Sequence, residues 1–185
     1  MYEENKKTPA EAAILGFYEA ANKGDKEDYN VREILTSYDK VLKEISKQPL
    51  IVACRLQISD PILQKKFEHN GQINESEIKK LKATSLKLPL VLAQEDSKYL
   101  ALFIRKYEIN KSAEASRDIN CLEVRLLKEV YEEIIKGEDI AGAIINPFSD
   151  HPFVIDIKHM LHAINGCPKE DLEKEINEAI NRRVS

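Results

Sequence analysis

The chain of 185 residues contains no Cys-x-x-Cys pair, and its three cysteines, Cys54, Cys121 and Cys167, are far apart and odd in number. That excludes a disulfide framework of the kind that staples small secreted chains and leaves three reduced thiols as the expectation. Seven prolines and six glycines are too few for a low-complexity linker protein, so disorder is expected only at the ends. No window approaches the roughly 18 uninterrupted apolar residues of a membrane span. The start, Met-Tyr-Glu-Glu-Asn-Lys-Lys, lacks the basic-then-apolar order of a secretory leader. A cytoplasmic chain with no membrane partner is expected. The 28 Lys and Arg against 32 Asp and Glu nowhere concentrate among aromatics, so the formal charge of −4 gives no phosphate-binding stripe, and no nucleic-acid partner is expected. There is no internal repeat.

What is present is a soluble globular composition, 43% apolar and 32% charged, in a chain long enough to bury a real core. Thr8, Pro9 and Glu11 have the form of a capping box with proline in the first turn, and Ile14, Leu15, Tyr18 and Ala21 follow on one face. Lys23-Gly24 is a stop signal, and Asp25 with Asp28 is placed to cap a second helix. Val31, Ile34, Leu35, Tyr38, Val41, Leu42 and Ile45 then keep the helical period, the clearest amphipathic stripe in the chain. Gln48-Pro49 ends it. Leu50 to Leu56 is a continuous apolar run suited to an interior strand, and Ser59 to Ser85 is a charged excursion with a turn at Asn70-Gly71. Within it, Gln64 to Lys82 forms a solvated face or a docking surface.

Leu86 to Ile104 is expected to be a hairpin reversing through Glu95, Asp96 and Ser97. A polar stretch follows from Asn110, then a helix from Val124 to Lys136 with Leu127, Val130, Tyr131 and Ile134 on one face and a left-handed cap near Gly137. Ala141 to Asn146 is a buried strand stopped at Asn146-Pro147. Phe153 to Ile157 is another, and a short helix closes at Asn165-Gly166. Residues 168–185 make a last helix, with Glu170 and Asp171 early and Arg182 and Arg183 late, as the helix dipole favours. This order predicts α+β: one mixed or antiparallel sheet with helices packed on it. Leu35, Leu42, Val52, Leu102, Phe103, Val130, Ile144 and Val154 are the expected core.

The helix of Val31 to Ile45, the strand of Leu50 to Leu56, the Leu86 to Ile104 hairpin and the Ile-Ile-Asn-Pro strand end within Ala141 to Ile157 resemble, in order, the N-terminal domain of the SseB family, named for enhanced serine sensitivity. The chain departs from that pattern at Asp96-Ser97, where the family favours an acid-glycine turn, and at Ile104-Arg105, where it favours a hydroxyl pair. The family's C-terminal domain is not matched. The resemblance divides the chain into an accessory N-terminal helix (1–24), an SseB-like bacterial domain (25–167) and a C-terminal helix (168–185). It implies a fold and no defined reaction.

Candidate chemistry is sparse. His151, His159 and His162, with Asp150, Asp156 and Cys167 nearby, form the best metal-like group, His159 and His162 being one helical turn apart. No thiol or carboxylate completes a recognised zinc spacing, so solvated histidines and no metal or other cofactor are expected. Cys54 lies inside an apolar strand, where burial raises a thiol's pKa, whereas Cys121 and Cys167 have polar or turn-forming neighbours. Asn146-Pro147 suits a strand end set by side-chain hydrogen bonding. With no catalytic constellation, the expectation is a non-enzymatic domain that binds an unidentified protein or a second copy of itself. Asp96, Phe103, Arg105, Asn146, Phe148 and His151 are the candidate contact residues. The alternative is a small-molecule binder or sulfur-transfer enzyme using Cys121 or Cys167.

Overall fold

The computed structural model describes residues 6–23, 31–70, 75–80, 82–94, 96–136 and 139–166. The expected caps at Asp25, Asp28 and Gly137, the turn glycines Gly24 and Gly71, Glu95, Cys167 and the 168–185 helix lie outside them. Two helices open the fold, α1 (Pro9–Asn22) and α2 (Val31–Lys47). The capping box forms as read: Thr8 Oγ1 accepts from Glu11 N at 3.2 Å, and Glu11 Oε2 accepts from Thr8 N at 2.7 Å. Strand β1 (Leu50–Ile58), helices α3 (Pro61–Asn70) and α4 (Glu75–Lys80), and strands β2 (Ser85–Pro89), β3 (Val91–Gln94) and β4 (Ser97–Phe103) follow. Next come α5 (Lys106–Ile109), α6 (Ala113–Asp118), β5 (Cys121–Arg125), α7 (Leu127–Ile134), β6 (Ile140–Ile145), β7 (Phe153–Asp156) and α8 (Ile157–Asn165).

The seven strands form one mixed sheet, so the fold is α+β. Its path is β2-β1-β4-β6-β7, with β5 on β1 and β3 on β4. Only β4 and β6 run parallel; the other pairs are antiparallel. The centre is forked. Ile51 and Val52 pair directly with Phe103 and Leu102, but farther along β1 pairs with β2, while the start of β4 pairs with β3. Leu90 joins the two branches: its N–H donates to Ala53 O at 2.8 Å and its carbonyl accepts from Ala101 N at 2.9 Å. Gly142 permits β7 to lie close to β6, since a Cβ there would stand 2.2 Å from the Ile155 carbonyl oxygen.

The period of two along each strand sorts the apolar residues onto two faces. Leu50, Val52, Leu100, Leu102, Ala143, Ile145, Phe153 and Ile155 face the helices, where Ala13, Ile14, Val41, Leu42, Ile45, Val130 and Met160 complete the main core. On the other face a smaller cluster of Ala53, Ala101, Phe103 and Ile109 lies with Leu90, Ile119 and Phe148 around it. The expected core therefore splits. Leu42, Val52, Leu102 and Val130 are buried among the helices, whereas Phe103 and Ile144, also buried, belong to the opposite face. Leu35 is only half-buried at the rim. Val154 is 40% exposed because it alternates with the inward Phe153 and Ile155 on an edge strand. The expected helix from Val124 begins only at Leu127: Val124 and Arg125 belong to β5, whose alternation of Leu122 and Val124 with Glu123 and Arg125 is a strand signal. Helix α1 is not set apart from this core, since Ala10, Ala13 and Ile14 are buried in it.

Candidate functional site

Phe103, Arg105, Asn146, Phe148 and His151 lie where the parallel strands β4 and β6 end, but Phe103, at 0% exposure, and Asn146, at 5%, are buried and serve packing and the turn instead of offering the expected contact surface. Carboxyl ends of neighbouring parallel strands are where open sheets present ligand crevices. Asn146 builds this end. Its backbone turns left-handed at φ 49°, which asparagine tolerates better than most residues, and its N–H donates to Leu102 O at 2.7 Å. Its side-chain Oδ1 accepts from Ile104 N at 2.9 Å, so the amide continues a ladder that the main chain has left. Asn120 does the same for β1, accepting from Leu56 N at 2.7 Å and donating to Leu56 O at 3.2 Å. Ser149 Oγ donates to the Asn146 carbonyl at 2.8 Å and accepts from His151 N at 3.2 Å.

Helix α1 lies over this end. Arg105 pairs with Glu11 at 2.9 Å, its guanidinium also donates to the Lys6 carbonyl, and it stands over the Tyr107 ring. The Tyr18 hydroxyl donates to the Pro152 carbonyl, and burial raises that hydroxyl above its ordinary pKa. His151 packs edge-on against Tyr18, and Phe148 packs against Phe103 with ring centroids 5.8 Å apart. Between α1, α5 and the Asn146 turn is a cleft of about 260 Å³, with Lys7, Glu11, Glu108, Lys111, Asp150 and His151 on its walls. Glu108 is buried, and Lys111 Nζ stands 3.0 Å from its Oε2, off the line of a hydrogen bond. Lys111 and the neighbouring Arg105 are thus each set against an acid, Glu108 and Glu11. Both hydroxyls beside His151 are engaged, that of Ser149 on the Asn146 carbonyl and that of Tyr18 on the Pro152 carbonyl, so among the described residues neither is set against an imidazole base.

Asp96 does not join this group. It precedes β4, roughly 20 Å from the Phe103 end at strand rise.

Of the histidine group, His159, His162 and Asp156 stay together, while His151 packs against Tyr18 at the strand-end cleft. His159 Nδ1 is 3.1 Å from Asp156 Oδ2 and packs edge-on against Tyr38, while the His162 ring centroid is 6.2 Å from that of His159. Burial would raise the Asp156 carboxyl, but hydrogen bonds from His159 outweigh it and hold the carboxyl below its ordinary value. Among the described residues no group of three or more histidines, cysteines or acids is placed to hold a metal ion, and no helix is long and apolar enough to cross a membrane.

The feature that sequence reasoning missed is the surface around β5. Among the described residues this strand pairs only with β1, so one of its edges is open. Ala53 O bonds toward β2 and β3, and Leu56 bonds toward Asn120 on the β5 side. By the alternation of an antiparallel ladder, the N–H and C=O groups of Leu122 and Val124 therefore point away from β1. Their side chains lie on the face opposite the main helices, 37% and 68% exposed. Leu86 and Leu88 of β2 lie on that same face, opposite Gln57 and Arg55, and are exposed. On the helix side of β5, Glu123 bonds both Lys87 and Arg125, and Arg125 also bonds Glu133. The Lys87 bond, countered in part by burial, holds the Glu123 carboxyl below its ordinary range, and Lys87 is raised in turn. Comparison of the chain with family models, curated proteins and solved structures finds no match in any of the three.

Proposed function

We propose that this is a non-catalytic protein-binding domain whose partner contributes an extended apolar segment that adds alongside β5. The observation that carries the reading is the edge of β5 that no strand among the described residues pairs, with Leu122 and Val124 exposed on it. Unpaired main-chain donors and acceptors in a row are satisfied by another extended chain, and alternate apolar side chains give that chain its grip. The strand-end cleft is compatible with the same class, because Glu11 and Glu108 on its walls are engaged by Arg105 and Lys111 and the hydroxyls beside His151 are engaged by main-chain carbonyls. The resemblance of the Leu86 to Ile104 and Ala141 to Ile157 segments to the SseB N-terminal domain agrees with a cytoplasmic bacterial domain without a reaction of its own.

The test is quantitative capture from cells that express the protein, comparing wild type with Val124→Pro and Leu122→Asp. Proline is tolerated on an edge strand where its missing N–H faces outward, so both variants should keep the wild-type melting temperature. A partner enriched by wild type and reduced at least tenfold by both variants supports the reading. A partner held equally by all three chains places the contact elsewhere and overturns it. Capture of a small molecule with no protein would favour an enzyme or ligand-binding domain instead.

A further inference from the structure

Cys54 and Cys121 are register partners at the end of the β1–β5 ladder. Both lie on the helix-packed face, Cys54 within the main core and Cys121 packed against it, and both are free thiols. Opposed residues of an antiparallel pair have Cα atoms about 4.5 or 5.5 Å apart. Both spacings fall inside the roughly 4.4–6.8 Å that a disulfide spans. Opposed Cβ atoms at about 4.5–5.5 Å must approach by up to about 1 Å to bond, and β5, paired on one side only among the described residues, is the strand placed to make that shift.

The surroundings give the two sulfurs different parts. Lys87, opposite Leu56, and Glu123, opposite Val52, form an ion pair that runs diagonally across β1 over Cys54. Cys54 is 3% exposed, and its thiol is pushed up to about 11, first by burial and then by the Glu123 and Cys121 charges. It is shielded and protonated. Cys121 is half-buried on the edge strand, so a reagent in solution reaches it first.

We infer that Cys54 and Cys121 form a reversible dithiol–disulfide site, in which a hydroperoxide oxidises Cys121 and Cys54 resolves it. The Cys121 thiolate attacks the terminal peroxide oxygen. An S–O bond forms as the O–O bond breaks, and the departing alkoxide takes up the proton Cys121 released, leaving as the alcohol. The Cys54 sulfur then attacks the Cys121 sulfur. The S–S bond forms, the S–O bond breaks, and the departing hydroxide takes the Cys54 proton and leaves as water. Each sulfur gives up one electron, and the peroxide accepts both. A small dithiol reverses the reaction by exchange. The bond would tie the edge strand to β1 and close the whole segment between them, which raises stability by restricting the unfolded chain. This inference is independent of the protein-binding reading.

The experiment treats the full chain with cumene hydroperoxide and maps tryptic peptides without reduction. Expected is one linked species joining Gln48–Arg55 to Asp118–Arg125, two hydrogens lighter than their sum, removed by dithiothreitol and accompanied by a melting temperature several degrees higher. The same link should form in Cys167→Ser and be lost in Cys121→Ser. Should Cys121 instead accumulate as sulfinic or sulfonic acid, join Cys167, or link only between chains, the inference fails. The wild-type peptide map decides this even if a Cys54 variant does not fold.

Discussion

The two faces of the sheet carry similar residues and meet different fates. On one, Leu50, Val52, Leu100 and Leu102 lie under α1, α2, α7 and α8 and are buried. On the other, Ala53, Ala101 and Phe103 are covered around α5 and Ile119, while Leu122, Val124, Leu86 and Leu88 stay exposed. Hydrophobicity alone did not decide which residues are core; the placement of helices did. The covered face holds the main core, and the other leaves apolar side chains at the surface.

The widest separation between the faces should appear on truncation. Leu102→Ala should cost about 2–5 kcal/mol, because the lost transfer energy and the cavity add. Val124→Ala, with no cavity to leave, should stay within roughly 0.5 kcal/mol of wild type. Urea denaturation of both variants measures the difference. Equal losses would mean that the open face is part of the core.

A second contrast is expected at the two strand ends that close the sheet. Asn146→Ala leaves the Ile104 N–H without its partner, about 1–3 kcal/mol, and forces alanine into a left-handed turn at about 1–2 kcal/mol more. Asn120→Ala, at an exposed position and with an ordinary φ, should cost only about 0.5–1.5 kcal/mol. Melts that rank Asn120 above Asn146 would show that the buried turn is held by other bonds.

A third effect concerns alkaline pH and again separates the faces. Cys54, on the covered face, stays protonated in the fold after an unfolded chain has lost that proton, at the ordinary value of 9.0. The unfolded state then binds fewer protons. This contribution is complete below pH 9 and is lost as pH rises from about 9 to about 11, roughly 2 to 3 kcal/mol in all. Lys87, raised by Glu123, also weakens the fold once pH passes its own range. Cys54→Ala separates the two, and denaturation at pH 8 and pH 11 should show a shallower fall in that variant. An unchanged fall would remove the thiol as the cause.

Local signals made much of this legible in the sequence. The Thr8–Glu11 box, the Val31 to Ile45 stripe and the Leu50 to Leu56 run are decided by neighbours within a few residues, and the fold class follows from the order of elements. The expected Leu86 to Ile104 hairpin holds only from Val91 to Phe103, as β3 and β4; Leu86 to Pro89 belong to β2, which pairs with the distant β1 instead. β5 was missed because five residues of weak alternation, Cys121–Arg125, run straight into a strong helix. The strand-end group was glimpsed through Asn146, whose role as a stop is written beside Pro147. Asp96 shared its hairpin but not its end of β4. The bond from Asn120 to Leu56, the facing of Cys54 and Cys121, and the exposure of Val154 all depend on which distant strand lies alongside. No local pattern states that.

The forked centre has a consequence for the chain while it is being made. β1 is complete early in synthesis, but its partners β2, β4 and β5 all come later. At about 5–20 residues per second, the ribosome needs roughly 4–15 s to add the segment from Leu50 to Arg125. The Leu50–Cys54 run is an apolar strand with neither edge paired until β2 and β4 are made, and its β5 edge stays unpaired through the whole interval. Chains stalled before Cys121 should therefore depend on chaperones to stay unaggregated, and release past Arg125 should end that dependence.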